Sequence, residues 1–295
     1  MAVGDFRFRR YKLPPGAFAI GPEKEPEPSD LVDEETWHDL VGLSDDVSLR
    51  TSEHHGTVLR QANEFLGFWI AFVLDLQVLV PEPREDALAL ACLDAFEEFQ
   101  ASLFTMLTGF YRQAIGVLRT AIEVVITGAY FRAFPNPSKF QLWADGHQEE
   151  QIWVKKIRDN LKIREPYSQF EGDAYPLLGR DGWVEFLYGR LSAFNHGRPF
   201  YMDEEGHQIP TSNMGLWGWS NGPVYEPRAV KLWSAFFWDT ALLCLLLAGL
   251  AEERVRYLEK PNMIGFPELV RHVWSWHPGP HPVAKKIVSY LDVMV

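Results

Sequence analysis

Apolar residues recur at helical spacing along most of this chain. Between Glu53 and Val80, the residues Val58, Ala62, Phe65, Leu66, Trp69, Phe72, Val73, Leu76 and Leu79 fall on one stripe, and Pro81 and Pro83 stop the run. Pro83 suits the first turn of a second helix, which Ala87, Leu90, Ala91, Phe96 and Phe99 carry to about Leu107. Thr108-Gly109 interrupts the pattern, which resumes in FYRQAIGVLRTAIEVVITGAYFRAF and ends at Pro135-Asn136-Pro137. So short a turn makes these two segments an antiparallel helical pair.

The flanking patterns are weaker but of the same period. Ser29 or Asp30 caps a short helix that ends near Gly42, and Ser48–Ser52 opens the long one. Ser138 caps a more polar helix over Lys139–Arg164, and Gly182–Gly197 is helical with Trp183, Val184, Leu187, Leu191 and Phe194 on its apolar face. Ala229–Leu258 is an apolar core helix, and Pro267–Trp276 and Pro282–Met294 are short amphipathic ones. Residues 198–228 break every helical pattern and hold Gly, Pro and aromatic residues. A loop of that length in a compact domain is a lid or binding loop, with room for a short hairpin. The expected fold is all-α, an antiparallel bundle of about ten helices with one long irregular aromatic loop.

Composition adds limits. Residues 1–28, with Pro14, Pro15, Pro22, Pro26 and Pro28, form an arm that cannot pack a core, leaving 29–295 as a single all-helical domain. The formal charge of −12 argues against a dominant, sequence-independent grip on phosphate backbones. Cys92 and Cys244 sit in apolar helical runs and are expected as buried free thiols of a reducing compartment. The N-terminus lacks a secretory h-region, and the uninterrupted apolar run within Ala241–Ala251 is too short to span a bilayer, so a cytoplasmic protein without a membrane segment is expected.

Familiar catalytic motifs are absent: no Walker loop, GxGxxG, HExxH, GxSxG or CxxC occurs. His272, His277 and His281 have metal-like spacing, but no carboxylate or cysteine completes a set, and a surface turn is expected, with no metal or cofactor. His54 and His55 are expected in an exposed first turn, and Glu97-Glu98 and Glu149-Glu150 on solvated faces. Arg119 and Glu123 differ, because i, i+4 spacing places them together on a strongly apolar helix, where a half-buried pair must be satisfied. They are expected as a structural ion pair that fixes bundle register, or as an anion site if Arg119 lies near His196.

The stretch GWVEFLYGRLSAFNHG joins a proton-exchanging residue type to a cation on a folded scaffold. Tyr188, Ser192 and His196 are successive i, i+4 neighbours on one stripe. Arg190 and His196 stand roughly 240° apart around an ideal helix, so their pairing needs a distorted helix end at Asn195–Gly197 or a second copy of the chain.

Arg119 and Glu123 in TGFYRQAIGVLRTAIEVVITGAY, followed by YGRLSAFNHG with Tyr188, Leu191, Ser192 and His196, resemble bacterial HEPN-like helical proteins. The likeness spans about 85–260. In HEPN ribonucleases the signature is an Arg followed at short spacing by a His, which Arg190 and His196 fit, although Leu191 stands where a polar residue is common. The resemblance implies metal-independent RNA cleavage by attack of the 2′-hydroxyl, in a toxin or anti-phage effector whose site forms across a homodimer. His196 would exchange protons, Arg190 would clamp phosphate, and Asn195, Ser192, Tyr188 and Arg119 would position the substrate. The alternative is a non-catalytic HEPN-like sensor or partner-binding protein, with 198–228 as its recognition surface.

Overall fold

The computed structural model describes residues 33–79, 86–144, 154–161, 167–169, 182–196, 200–202, 207–210, 223–259 and 261–278. The arm over 1–28, the helix expected over 282–294 and most of 198–228 lie outside the described residues.

Helix α1 (Glu34–Trp37) is capped by Asp33, whose carboxylate accepts from Thr36 N at 2.9 Å. The helix expected to end near Gly42 does not end there. A π-helical turn at His38–Gly42 passes into α2 (Leu43–Val78), with Gly42 itself at φ −59° and ψ −39°. A glycine costs about 1 kcal/mol inside a helix, too little to end one whose next turn buries Val47. The break comes instead at His55, with φ −128° and ψ 26°. His54 and His55 therefore lie at a kink within the long helical run rather than in its first turn, and His54 stacks on Tyr225 with ring centroids 5.6 Å apart.

Asp86 caps α3 (Ala87–Leu107), accepting from Ala89 N at 2.7 Å. The chain then turns at Gly109, whose φ of +88° few other residues adopt, and enters α4 (Tyr111–Ala133). A Cβ at Gly109 would also lie 2.8 Å from Pro223 Cβ. Helix α4 is the centre of the bundle, with Ala114, Ile115, Leu118, Ala121, Ile122 and Val125 fully buried. The polar helix expected over 139–164 starts earlier, as α5 (Pro137–Ala144), because Asn136 rather than Ser138 caps it, accepting from Lys139 N at 3.1 Å. Helix α6 (Val154–Leu161) buries Ile157 and Leu161, and α7 (Trp183–Asn195) follows.

The long loop is not wholly irregular, since β1 (Phe200–Met202) pairs antiparallel with β2 (Gln208–Pro210), with Tyr201 opposite Ile209. Helix α8 (Pro227–Ala251) buries almost every residue from Ala229 onward. It stops before the expected Leu258 because Glu252 leaves helical geometry, at φ −129° and ψ 83°, to meet Arg132 of α4, and a 3-10 turn continues over Glu253–Tyr257. Helix α9 (Phe266–Trp276) closes the described fold.

The core draws on both halves of the chain. Phe65 of α2 packs edge-on against Phe99 of α3 and against Phe237 and Trp238 of α8. Ser102 stitches three helices, donating to Ala114 O at 2.7 Å and accepting from Trp233 Nε1 at 2.9 Å. Cys92 and Cys244 are free and buried, and burial pushes both thiols far up. Tyr111–Ala133 and Pro227–Ala251 are long and apolar enough to cross a membrane by length and composition, yet 67% and 83% of their most apolar windows are buried in the bundle.

Candidate functional site

Helix α7 lies against α4 as its sequence pattern requires. Trp183, Val184, Leu187, Leu191 and Phe194 are buried, Tyr188 and Ser192 are half-buried, and Asn195 and His196 are exposed at its end. Arg158 of α6 braces the start of α7 through Glu185 at 3.1 Å. On α4, the spacing of Arg112, Gly116, Arg119 and Glu123 puts all four on one face, and contacts to α7 are recorded for each of them.

Four polar side chains meet where these faces touch. Arg119 donates to Glu123 Oε1 from Nε at 3.2 Å and from Nη2 at 2.9 Å. The same Nη2 reaches Tyr188 Oη at 2.5 Å, and the Tyr188 hydroxyl donates to Glu123 Oε1. The Arg119 Cζ stands 4.6 Å from the Tyr188 ring centre, so the guanidinium is held at its edge and over a π face. Its remaining nitrogen, Nη1, lies 2.6 Å from His196 Nε2. Arginine has donors and no acceptor, so a hydrogen bond here requires Nε2 as its acceptor and the Nδ1–H tautomer of the ring.

The electrostatics fix the protonation of the support. Burial, then the bond to Glu123, pushes the Tyr188 phenol up to about 12, so it stays a neutral donor. Burial works against the Arg119 charge, but the Glu123 carboxylate outweighs it and holds the guanidinium above its ordinary value. A permanently charged guanidinium is thus seated in a fixed orientation, with one nitrogen on an exposed imidazole.

Arg190 goes elsewhere. Its guanidinium carbon stands 5.1 Å from the Phe186 ring centre and 4.8 Å from that of Phe236, on the side of α7 that faces α8. Among the described residues α7 stays helical up to its cap, His196 N bonding to Ser192 O at 2.9 Å, so Arg190 and His196 keep to different sides of the helix within one chain. The cation at His196 in this chain is Arg119. Ser192 does not bridge Tyr188 and His196 either, since its hydroxyl donates to Tyr188 O at 2.7 Å, and the two outer members of the stripe meet through Arg119.

No family model, curated protein or solved structure matches the chain. The other candidates disperse. His277 Nε2 lies 3.2 Å from Asp239, and His272 Nδ1 lies 3.1 Å from Glu268 O of its own helix. No group of three or more potential metal ligands occurs among the described residues, which exclude His281, Glu149 and Glu150. The Glu98 carboxyl, half-buried beside the exposed Glu97 and Asp94, is raised by burial and then by those two carboxylates. Sequence reasoning missed Arg112, whose Nε donates to Phe194 O at 2.9 Å. The available signal was its position seven residues before Arg119 on the same helical face.

Proposed function

We propose that Arg119, Glu123, Tyr188 and His196 form a metal-independent RNA-cleaving site of HEPN-like kind, in a toxin or anti-phage effector. The observation that carries this is the 2.6 Å contact between Arg119 Nη1 and Nε2 of the exposed His196, which puts a permanent cation beside a proton-exchanging ring. In the free protein Nη1 covers the Nε2 lone pair. A scissile phosphate drawn onto Nη1 uncovers it, and Nε2 takes the proton of the 2′-hydroxyl as that oxygen attacks phosphorus. The ring returns a proton to the 5′-oxygen as the P–O5′ bond breaks, leaving a 2′,3′-cyclic phosphate and a 5′-hydroxyl. Arg119 offsets the charge on the phosphorane oxygens, and Glu123 and Tyr188 keep it oriented. Asn195 and Ser192, on the last turn of α7, position the substrate, while Arg190 anchors α7 to α8. As in the resembling nucleases, a homodimer is proposed.

The alternative is a non-catalytic sensor whose recognition surface is 198–228. One observation favours it: Nε, Nη1 and Nη2 of Arg119 all have protein partners already, as in a purely bracing network. Incubating the purified protein with structured RNA in EDTA separates the two. The nuclease cleaves, and His196→Ala slows it by about 100- to 10,000-fold, the usual worth of general acid–base catalysis. The same RNA pattern with wild type and His196→Ala ends the catalytic role. A sensor gives no cleavage, and in it His196→Ala lowers the melting temperature by several degrees through loss of a hydrogen bond to a charged group.

A further inference from the structure

We infer that Arg112 is the positioning residue for His196. The role rests on His196 as the proton-transfer group, but its structural basis is separate. Among the described residues the last helical hydrogen bond of α7 is made by His196 N, and the carbonyls of a helix's final turn draw donors from outside it. Arg112 Nε supplies one, donating to Phe194 O at 2.9 Å. A guanidinium at that point also meets the negative end of the helix dipole.

Phe194 is two residues before His196, and Arg112 is seven residues before Arg119 on the same face of α4. The end of α7 is therefore held to α4 twice, by its backbone through Arg112 and by the imidazole through Arg119. Between the two, Gly116 faces Asn195, where a built Cβ would lie 3.4 Å from Oδ1 and 3.9 Å from Cα, so the helices approach closely with no intervening side chain. A single bond from Arg119 leaves the ring free to pivot about the end of the helix. The backbone bond holds the end of α7, and with it the His196 Cα, at a set distance from α4, so that Nε2 stays within reach of Nη1. Arg112 acts through His196, not on substrate.

The consequence is a tautomer. Free histidine side chains in water favour the Nε2–H form, whereas the Arg119 contact requires the Nδ1–H form. Nitrogen-15 NMR of the His196 ring at alkaline pH, where imidazoles are neutral, reads the ratio directly. Wild type is expected to show the Nδ1–H form. Arg112→Met is expected to shift His196 toward the Nε2–H form, in the direction that Arg119→Met shifts it, and Arg112→Lys, which keeps a charged donor, to restore much of the native ratio. If Arg112→Met does not fold, Arg112→Gln, with a neutral donor, carries the same readout, with a shift larger than that of Arg112→Lys. A native tautomer ratio in Arg112→Met or Arg112→Gln overturns the role, as does an equal shift in Arg112→Lys and the uncharged variants. This readout needs no RNA, so it stands or falls apart from the cleavage assay. Where cleavage is measured, Arg112→Met is expected to lower kcat with little change in KM.

Discussion

Helix α4 carries two arginines with carboxylate partners, and they are built in opposite senses. Arg132 reaches from its last turn to Asp86, at 2.7 Å, and to Glu252, and these acids are only 7% and 6% exposed. Asp86 is the cap of α3 and Glu252 the end of α8, so one guanidinium ties three helix ends together. Arg119 instead pairs with a neighbour on its own helix, Glu123, which is 30% exposed, and points a nitrogen at an exposed imidazole. The first cluster buries its anions and has no group that exchanges protons near neutral pH. The second sets a guanidinium, 15% exposed, against a histidine at the surface. Similar residue types thus make a clamp at the end of the helix and a candidate reactive corner at its middle.

The difference predicts unequal losses. Arg132→Met takes the cation from the buried Asp86 and leaves Glu252 with Arg254 alone, and is expected to lower stability by about 3–5 kcal/mol in chemical denaturation. Arg119→Met leaves Glu123 half-buried but still accepting from the Tyr188 hydroxyl, and is expected to cost about 1–2 kcal/mol. Equal losses would erase the distinction between clamp and site. The glycines of α4 probe the same contrast. A Cβ at Gly128 would stand 2.6 Å from Ala91 Cβ and 2.9 Å from Ala87 O, so Gly128→Ala is expected to cost about 1–3 kcal/mol.

The Arg132 cluster also responds to acid. Burial raises the Glu252 carboxyl, but the Arg254 and Arg132 guanidinium groups outweigh burial and hold it below its ordinary value. A depressed carboxyl contributes stability above the ordinary glutamate value, about 4.3, that is lost as pH falls through the lowered one. Thermal melts are therefore expected to show wild type more stable than Glu252→Gln at neutral pH, with the gap closing below about pH 4. The smallest effect belongs to Gly116→Ala. Its Cβ would meet Asn195 at ordinary contact distance, and the gain in helix propensity, about 0.5–1 kcal/mol, is expected to cancel any loss.

The comparison also explains what the sequence makes legible. Period alone locates α2, α3, α4, α7 and α9, since their buried stripes are local, and it finds Arg119 with Glu123 because i, i+4 is a local relation. The Arg132 clamp is invisible to spacing, its partners lying 46 and 120 residues away in sequence. The same tertiary contact sets the early end of α8, which apolar content alone extends to Leu258. Arg190 stands out because it shares a short motif with His196, but neighbours in space decide which arginine meets the ring, and α4 supplies Arg119. Sequence leaves the hairpin at 200–210 as an option within the loop and does not place it, because three-residue strands hold too little alternation to register.

A double-mutant cycle on RNA cleavage tests the joint action of Arg119 and His196 most directly. If they form one unit, Arg119→Met and His196→Ala each slow the appearance of 2′,3′-cyclic phosphate ends, and the double variant is little slower than His196→Ala alone. Losses that multiply independently, a His196→Ala rate equal to wild type, or no cleavage by the wild type would contradict it.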